Sequence, residues 1–579
     1  MTTCITAVTA PAPLLRRERH FGTRVLTCFA QRPASVAQML REAVARHRAG
    51  DAVVCGAERL SWGELDALSA RLANGLQQRG VGAGDRVALL LPNGVPFVLA
   101  TLACARLRAV LVPLGVRSQT AELAHALSDC GAVCAFVDAA LLARLPARHA
   151  TPALREVCSV PEQQAAGGTE AALADWLGDA RADLLADACA ATAPVPAPGE
   201  LAAIVYTSGT TGAPKGAMLT QLNIVHSALH YEAAMGLSAA DRSLACVPLS
   251  HVTGLIAQLM TMLRVAGTLL ILPVFKAAEF LALAVRERAT HTIMVPAMYT
   301  LCLLRDDLRA HDLSAWRIGA FGGAPMPPAT IAALAAQLPA LVLMNAYGAT
   351  ETTSPATLMP AEVATRARAA DAHQADHPHH ASVGRVVACG DILVMDPHGI
   401  EVPTGASGEV WIKGPMVVPG YWNNPAATAA SFVDGYWCSG DVGRVDAAGF
   451  LYLHDRLKDV INRGGFKVYP AELEALLAQH PAVLEAAVVG TPCAVLGERV
   501  HAFVTLRERP PEHATASASA AAKSNSHAAD AAALSAFIGA LVSDYKVPES
   551  WTLQTEPLPR NANGKLLKRE LRTQLAQAR

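Results

Sequence analysis

Apolar residues along the chain follow two alternating patterns. Four leucines between residues 65 and 76 recur at helical intervals behind a capping-box pattern, Ser61 with Glu64, and Gly80 can close that helix. Short continuous apolar runs bounded by turn residues instead predict buried strands. These runs are at 87–91, 109–114, 201–205, 268–272, 291–295, 317–321 and 341–345. Strands that alternate with helices predict an α/β fold with mostly parallel β-sheets flanked by helices.

The chain of 579 residues is longer than one hydrophobic core normally supports, so two or more domains are expected. Residues 441–459 are rich in Gly, Asp and Arg and surround an aromatic strand pattern at 450–453. This passage predicts a border between a large N-terminal domain at 1–454 and a small, mobile α+β C-terminal domain at 455–579. The joint near 455–459 is the predicted hinge.

Two tracts have biased composition. Residues 508–532 are mostly Ala, Ser, His and Pro, and are expected to form a flexible insertion in the C-terminal domain. Residues 361–381 are rich in Ala and His without regular His spacing or Cys partners, so a solvated loop is favoured over a metal site. The sequence assigns neither tract a function.

Composition narrows the possible partners and the compartment. With 48 basic and 49 acidic residues, the chain has no overall field to attract nucleic acid or an anionic membrane. Thirteen scattered cysteines without a Cys-x-x-Cys pair favour a reducing cytoplasm. No apolar segment of signal-peptide length follows the N-terminal arginines, and polar residues interrupt the apolar stretch at 243–275. That stretch is expected to be a buried core segment rather than a transmembrane span, and the oligomeric state is not predicted.

Residues 206–216 read Tyr-Thr-Ser-Gly-Thr-Thr-Gly-Ala-Pro-Lys-Gly and follow the strand predicted at 201–205. Glycines let backbone N–H groups approach a ligand closely, and the run adds four hydroxyls and one cation. It predicts a cradle for a polyphosphate made of Thr207, Ser208, Gly209, Thr210, Thr211, Gly212 and Lys215. The spacing is not that of a Walker A loop, because the glycines lack the four-residue spacer and Gly216 follows the lysine. The alternative is a flexible surface turn.

Five further short motifs are candidates for the same site. They are Gly-Gly-Ala-Pro at 322–325, Asn-Ala-Tyr-Gly-Ala-Thr-Glu at 345–351, Trp-Cys-Ser-Gly-Asp at 437–441, Gly-Gly at 464–465 and Pro-Arg-Asn-Ala-Asn-Gly-Lys at 559–565. The first two follow predicted strands, and α/β sheets place ligands at the carboxyl ends of parallel strands. We expect the motifs to converge on one cleft.

In this order, the motifs resemble the adenylate-forming superfamily, which includes acyl-CoA synthetases, firefly luciferase and the adenylation domains of non-ribosomal peptide synthetases. The resemblance extends from about residue 35 to residue 572, and the ending at 558–571 is most similar to acyl-CoA synthetases. It implies a two-step reaction. A carboxylate attacks the α-phosphorus of ATP to give acyl-AMP and pyrophosphate, and a thiol, usually that of CoA, then attacks the acyl carbon.

The resemblance implies how the phosphates are bound. The loop at 207–212 and Lys215 hold the β- and γ-phosphates, Thr350 lies beside the α-phosphate, and Glu351 is the Mg²⁺ ligand. Lys565 resembles the lysine that neutralises charge between the carboxylate and the α-phosphate. The alternatives are that Glu351 caps a turn and that Lys565 is a solvated tail residue, as Lys568 and Arg569 are expected to be.

The nucleoside site is implied in the same way. Asp441 accepts hydrogen bonds from the ribose hydroxyls, Arg456 donates to the same nucleotide, and Tyr347 stacks on the adenine. The other nucleotide-binding positions are Gly323, Ala324, Pro325, Asn345 and Gly348. The alternatives are a turn-capping role for Asp441 and a packed core aromatic at Tyr347.

The second step uses other residues in the resemblance. After the C-terminal domain rotates, Gly464 and Gly465 line the entrance for the CoA thiol, and Lys458 aligns with the hinge position. Asp455 replaces the glycine that many relatives carry there, which is expected to stiffen the joint.

The acid site is implied to contain His251, Gly322 and Ala349. The flanking segments 252–256 and 294–299 are mostly apolar, which suits an aliphatic or aromatic acid. A satisfied core histidine is the alternative for His251.

The leading hypothesis is therefore an ATP-dependent acid–CoA ligase that uses ATP, Mg²⁺ and CoA with a small-molecule carboxylic acid. The alternatives are an acid–AMP ligase that loads a carrier protein and a degenerate relative that only binds nucleotide. The sequence does not identify the acid.

Overall fold

The structure is a computed structural model that describes residues 13–161, 169, 173–177, 195–207, 214–364, 379, 381–507, 530–560 and 566–577. The phosphate-loop residues 208–213 and Lys565 lie outside these ranges. So does most of the two biased tracts at 361–381 and 508–532.

The chain divides into two compact units, each with its own hydrophobic core. The first unit contains residues 1–393, 411–439 and 446–451, and the second contains 394–410, 440–445 and 452–579. The predicted border at 454, the hinge and the mobility of the C-terminal part stay predictions. The units are described one at a time.

A six-stranded sheet in the first unit carries the phosphate-loop motif. In spatial order its strands are Lys215–Thr220, Leu201–Thr207, Val110–Pro113, Arg86–Leu90, Cys134–Asp138 and Glu156–Val160. All neighbours run parallel except the first pair, which is an antiparallel hairpin. The central strands consist almost wholly of buried apolar residues, as expected for a sheet covered on both faces.

A nine-stranded sheet carries the motifs at 322–325 and 345–351. Its strands in spatial order are Arg385–Val386, Thr357–Leu358, Val342–Tyr347, Ile318–Phe321, His291–Met294, Arg242–Ala245, Thr268–Ile271, Asp51–Cys55 and Glu58–Ser61. The five pairings in the middle are parallel, and those at the two ends are antiparallel. The motif at 322–325 follows its strand, whereas the motif at 345–351 begins within the last three residues of the neighbouring parallel strand, Val342–Tyr347.

Helices flank these sheets. They are Val36–His47, Trp62–Gln78, Val95–Leu107, Thr120–Cys130, Gln221–Met235, Thr261–Val265, Ala277–Arg286, Pro296–Arg305, Pro328–Gln337 and Pro425–Ser431, with a π-helical segment at Thr253–Met260. The predicted capping box is present: Ser61 Oγ accepts from the Glu64 N–H, and the Glu64 carboxylate accepts from the Ser61 N–H. This pair satisfies two N–H groups that the helix itself leaves open.

Two smaller sheets complete this part of the chain. Leu15–His20 and Arg24–Phe29 form an antiparallel hairpin. The other sheet contains Asp391–Met395, Gly408–Lys413, Tyr436–Val445 and Phe432–Val433, with Leu451–Arg456 paired to Tyr436–Val445.

The second unit is an α+β domain. Its sheet has the strand order Phe466–Val468, Ile461–Arg463, Gly497–Leu506 and Val483–Cys493, and Ser550–Gln554 pairs parallel to Gly497–Leu506. Helices Pro470–Leu477 and Ala531–Gly539 pack on one core, and Lys568–Gln577 packs on a second cluster around Phe503.

The predicted α/β architecture with mostly parallel sheets is confirmed. The apolar stretch at 243–275 folds into two short strands and the helical segments between them, and nearly all of its side chains are buried. Within the described ranges, no helix combines the length and the apolar character that crossing a bilayer requires.

Replacing Gly254 with alanine is expected to lower the free energy of unfolding by about 1–3 kcal/mol, the usual cost of overpacking a core. A Cβ at this position would lie 2.4 Å from the Pro248 carbonyl oxygen and 2.9 Å from the Leu249 Cα. Chemical denaturation measures the change. Gly82→Ala is the control, because a Cβ there meets nothing within 4 Å; equal stability of both variants would contradict the prediction.

Candidate functional site

The phosphate-loop motif begins and ends in the hairpin of the six-stranded sheet. Thr207 ends one strand and Lys215 begins the next, directly across from it. The Thr207 hydroxyl donates to the Lys215 carbonyl at 3.4 Å. The loop positions Ser208, Gly209, Thr210, Thr211 and Gly212 lie outside the described residues. The paired strands therefore fix the positions of the two residues that flank the loop, Thr207 and Lys215.

Asp129 anchors this hairpin. The Tyr206 hydroxyl donates to Asp129 Oδ2 at 2.6 Å, and burial raises the pKa of this tyrosine, which keeps it a neutral donor. The Asp129 carbonyl accepts from Trp422 Nε1 at 3.1 Å and from Asn423 Nδ2 at 2.8 Å. The hairpin is therefore attached to the segment around residue 422.

Glu351 lies in a single 3₁₀ turn, Thr350–Thr352, shortly after the strand Val342–Tyr347. The Ala349 N–H donates to Thr352 Oγ1 at 2.9 Å, which fixes the start of the turn. A Cβ on Gly348 would lie 3.0 Å from that same oxygen and 3.1 Å from the Ala356 nitrogen. Close packing therefore explains the glycine. Glu351 lies within the turn and does not cap it through its side chain.

Tyr421 connects Glu351 with Lys215. Its hydroxyl donates to Glu351 Oε1 at 2.8 Å, and the Lys215 Nζ lies 5.1 Å from the centroid of its ring. The backbone carbonyl of Glu351 also accepts from the Val418 N–H at 2.9 Å. Burial raises the pKa of Tyr421, so the hydroxyl stays protonated. Tyr421 lies in none of the sequence motifs described above.

The motif at 322–325 begins where the strand Ile318–Phe321 ends. Phe321 pairs with Asn345, and a Cβ on Gly322 would lie 2.3 Å from the Ala346 carbonyl oxygen, so the two motifs touch at this point. Gly323 has a φ of +78°, a conformation that favours glycine. Gly323, Ala324 and Pro325 are exposed, and Tyr347 is half-buried rather than enclosed in the core.

His251 precedes the π-helical segment Thr253–Met260 and is half-buried. Its N–H donates to the Pro248 carbonyl at 3.2 Å, and its carbonyl accepts from the Leu255 N–H at 2.8 Å. Asn93 holds the same loop by bonding the Val247 carbonyl at 2.9 Å and the Leu249 N–H at 2.8 Å. A role for His251 in the acid site stays a prediction.

In the second unit, Asp441 and Arg456 form an ion pair. The Arg456 Nε lies 2.5 Å from Asp441 Oδ1, and the Asp441 side chain is only 8% exposed. Asp441 lies inside the strand Tyr436–Val445. The Leu457 N–H donates to the Gly440 carbonyl at 2.7 Å, which keeps the two strands in register.

The predicted hinge position, Lys458, is exposed and lies between two anchored carboxylates. Asp455 Oδ2 accepts from the Ala471 N–H at 2.7 Å, at the start of the helix Pro470–Leu477. Asp459 Oδ1 lies 2.8 Å from Arg572 Nη2. Asp455 therefore ties the joint to a helix of the second unit.

Gly464 and Gly465 form a two-residue hairpin turn between the strands Ile461–Arg463 and Phe466–Val468. Their φ values, +59° and +89°, are those of a type I′ turn, which matches the twist of the flanking strands. The Gly464 N–H donates to the Leu496 carbonyl at 2.7 Å.

Lys565 itself is not described, but both sides of its segment are. Arg560 and Leu566 form an antiparallel bridge, and the Leu567 N–H donates to the Pro559 carbonyl at 2.9 Å. The expectation that Lys568 is a solvated tail residue is wrong. Its Nζ lies 2.7 Å from Glu474 Oε1, and its side chain is 13% exposed, whereas Arg569 is exposed as expected.

The structure thus brings Lys215 and Glu351 together around Tyr421 in the first unit, with Thr207 paired to Lys215, and Asp441 and Arg456 together in the second. Tyr421 belongs to a Gly-Tyr-Trp-Asn run at 420–423. Two adjacent aromatic residues in a turn were the only local indication of its role.

The sequence profile described as AMP-binding enzyme matches residues 40–422, about two thirds of the chain, and that of the AMP-binding enzyme C-terminal domain matches residues 472–565. The chain belongs to the AMP-binding enzyme family. The second profile ends at Lys565, the last residue of the motif at 559–565.

Similar proteins include a long-chain-fatty-acid–CoA ligase of Mycobacterium tuberculosis, 32% identical over 518 residues that cover 89% of this chain and 93% of the relative. A feruloyl-CoA synthase of Amycolatopsis is 34% identical over 526 residues, covering 90% and 95%. Among solved structures, the o-succinylbenzoate–CoA synthetase of Bacillus subtilis, in complex with ATP and magnesium ion, matches with a TM-score of 0.75 at 26% identity, covering 92% of this chain and 98% of that one.

Replacing Lys568 with methionine is expected to destabilise the second unit in a pH-dependent way. Burial holds the pKa of the Glu474 carboxyl above its usual range, and Lys568 opposes that shift. Without the lysine the pKa rises further, so stability is kept at low pH, where the carboxyl is protonated, and lost as the pH rises through the raised pKa.

The loss is expected to reach about 1–3 kcal/mol at pH 8 and to shrink at pH 5, as followed by thermal unfolding at both values. Arg569→Met is the matched control, because Arg569 is exposed. A Lys568→Met deficit of the same size at both pH values would contradict this account.

Proposed function

We propose that the protein is an ATP-dependent acid–CoA ligase. A carboxylate and ATP form acyl-AMP and pyrophosphate, and CoA then displaces AMP to form the thioester. The observation that carries the proposal is the arrangement of Lys215 and Glu351 around Tyr421, opposite Thr207 at the mouth of the phosphate-loop hairpin. The CoA-ligase names of its relatives support the same reaction.

Electrostatics explains why the first step needs this arrangement. A carboxylate must approach a triphosphate that is already strongly negative, and pyrophosphate must leave with additional charge. Fixed cations and N–H donors stabilise that charge without reorganising during the reaction. Lys215 and the adjoining loop are suited to the β- and γ-phosphates, and Lys565 to the charge that develops at the α-phosphate.

The residues present fit a magnesium ion beside Glu351. Oxygen is the ligand that Mg²⁺ prefers. One carboxylate oxygen of Glu351 accepts from Tyr421, while Oε2 makes no hydrogen bond to any residue that the structure describes. We propose Glu351 as the protein's ligand for Mg²⁺ bound to ATP; the ion would neutralise phosphate charge.

The nucleoside and the second step are assigned to the remaining motif residues. We propose that Asp441 and Arg456 bind the ribose side of the nucleotide, and that Gly323–Pro325, Asn345, Tyr347 and Gly348 surround the adenine. The chain from 455 onward is proposed to rotate near Lys458 between the steps, with Gly464 and Gly465 on the CoA side. The type I′ turn supports this, because it presents a backbone without side chains.

The acid is proposed to be an apolar aliphatic or aromatic carboxylic acid that binds near His251, Gly322 and Ala349. The apolar segments 252–256 and 294–299 support this class. One relative is named for a long-chain fatty acid and another for feruloyl-CoA, so the two names include one aliphatic and one aromatic acid. All cysteines in the described ranges are free, which supports a cytoplasmic location.

The experiment that tests the function is incubation with ATP, Mg²⁺, CoA and a panel of fatty and aromatic acids. Pyrophosphate release and CoA consumption are both expected, in equal amounts, for at least one acid. Pyrophosphate release without CoA consumption for every acid would favour a ligase that loads a carrier protein. No pyrophosphate release with any acid would contradict the adenylation step itself.

Lys565→Ala is expected to slow acyl-AMP formation by roughly 10²–10³-fold, the usual loss when one stabilising donor of a developing charge is removed. ATP affinity and thioester formation from preformed acyl-AMP are expected to change little. Pyrophosphate exchange measures the first step and a thioester assay the second. Arg569→Ala is the control, and adenylation at the wild-type rate in Lys565→Ala would remove that lysine from the mechanism.

A further inference from the structure

Tyr421 makes two different contacts with the phosphate-binding machinery. Tyr421 is only 6% exposed, so both contacts are made by a buried side chain. The hydroxyl bonds the Glu351 carboxylate at 2.8 Å, and the ring faces the Lys215 ammonium at 5.1 Å. One rigid aromatic side chain therefore lies between a negative and a positive group.

The hydroxyl determines how the carboxylate is presented. Hydrogen bonds to an ionised acceptor are strong and directional, so the bond to Oε1 restrains rotation of the Glu351 carboxylate. The other oxygen, Oε2, is thereby held in one orientation. The Glu351 backbone is also held, by the bond from the Val418 N–H at 2.9 Å.

The ring determines where the ammonium lies. Lysine carries four rotatable side-chain bonds, and a cation near an aromatic face gains electrostatic attraction at this distance. Lys215 is the first residue of its strand, so its backbone is fixed while its side chain keeps its rotatable bonds. The ring limits that freedom before any phosphate arrives.

The position of Tyr421 is set by the backbone on both sides. Ala217 forms an antiparallel bridge with Tyr421, the Met218 N–H donates to the Gly420 carbonyl at 3.1 Å, and the Trp422 N–H donates to the Gly216 carbonyl at 2.7 Å. The strand that carries Lys215 thus also holds Tyr421. The position of the Tyr421 ring relative to Lys215 is consequently fixed by backbone pairing at the edge of the six-stranded sheet.

We propose that Tyr421 is a positioning residue that orients the Glu351 carboxylate and restrains the Lys215 ammonium for the binding of metal-bound ATP. The two contacts act separately: the hydroxyl serves the metal and the ring serves the phosphates. The inference rests on the proposed function, because it assigns Glu351 to the metal and Lys215 to ATP.

Calorimetry of ATP binding, with saturating Mg²⁺ and with EDTA, separates the two contacts without any turnover. Tyr421→Phe keeps the ring and removes the hydroxyl. It is expected to reduce the affinity gain that Mg²⁺ provides by roughly tenfold, the scale of one hydrogen bond to a charged group, and to leave ATP affinity in EDTA unchanged. Tyr421→Leu is expected to weaken ATP binding in EDTA as well, by about three- to tenfold.

Tyr436→Phe is the matched control. It also removes a hydroxyl that bonds a carboxylate, that of Asp391, at a place outside the phosphate-binding residues. Neither of its ATP affinities is expected to change. In a Glu351→Gln background, Tyr421→Phe is expected to have no further effect on the gain from Mg²⁺.

The outcomes distinguish this inference from the proposed function. A wild-type protein that binds ATP no better with Mg²⁺ overturns both. A wild-type protein that shows the gain, with Tyr421→Phe identical to it or weakened equally in Mg²⁺ and EDTA, overturns the positioning role alone. Unfolding temperatures of the variants near that of the wild type confirm that the comparison is between folded proteins.

Discussion

The hydrogen bond between Tyr421 and Glu351 joins three parts of the chain that are far apart in sequence. Glu351 follows a strand of the nine-stranded sheet, Lys215 begins the edge strand of the six-stranded sheet, and Tyr421 belongs to the segment that packs along that edge. The relative position of the Lys215 cation and the Glu351 anion is therefore set by the packing of two sheets. A change at Tyr421 would therefore alter the positions of both Glu351 and Lys215.

This arrangement suits a protein whose total charge is almost zero. A formal net charge of −1 provides no long-range attraction for ATP, so the phosphates must be recognised by groups within a few bond lengths. In the second unit, the Arg456 cation is likewise held by a neighbouring group, the Asp441 carboxylate. Lys215 lies next to an aromatic ring and Arg456 next to a carboxylate, and under the proposed function a bound nucleotide would have to share or replace those partners.

Much of the fold could be predicted from the sequence, because it depends on local patterns. Apolar runs at strand length and the capping box at Ser61 correspond to elements of the structure at nearly the same positions. The phosphate-loop motif was also visible locally, as glycines, hydroxyls and one lysine. Tyr421 was missed because its role depends on a bridge to Ala217, about two hundred residues earlier in the chain, which no local pattern encodes. Lys568 was misjudged for a related reason, since its burial depends on how the last helix docks beside Glu474.

The two carboxylates on either side of Lys458 differ in what they hold. Asp455 precedes Lys458 in the chain but accepts a hydrogen bond from the N–H of Ala471, which comes after Lys458. Asp459 and its partner Arg572 both come after Lys458. A swivel at residue 458 would carry Ala471 away from Asp455 and leave the Asp459–Arg572 pair undisturbed. If the proposed rotation near Lys458 takes place, the bond between the Asp455 carboxylate and the Ala471 N–H would have to break, and this bond would stabilise the rotational state in which it is present.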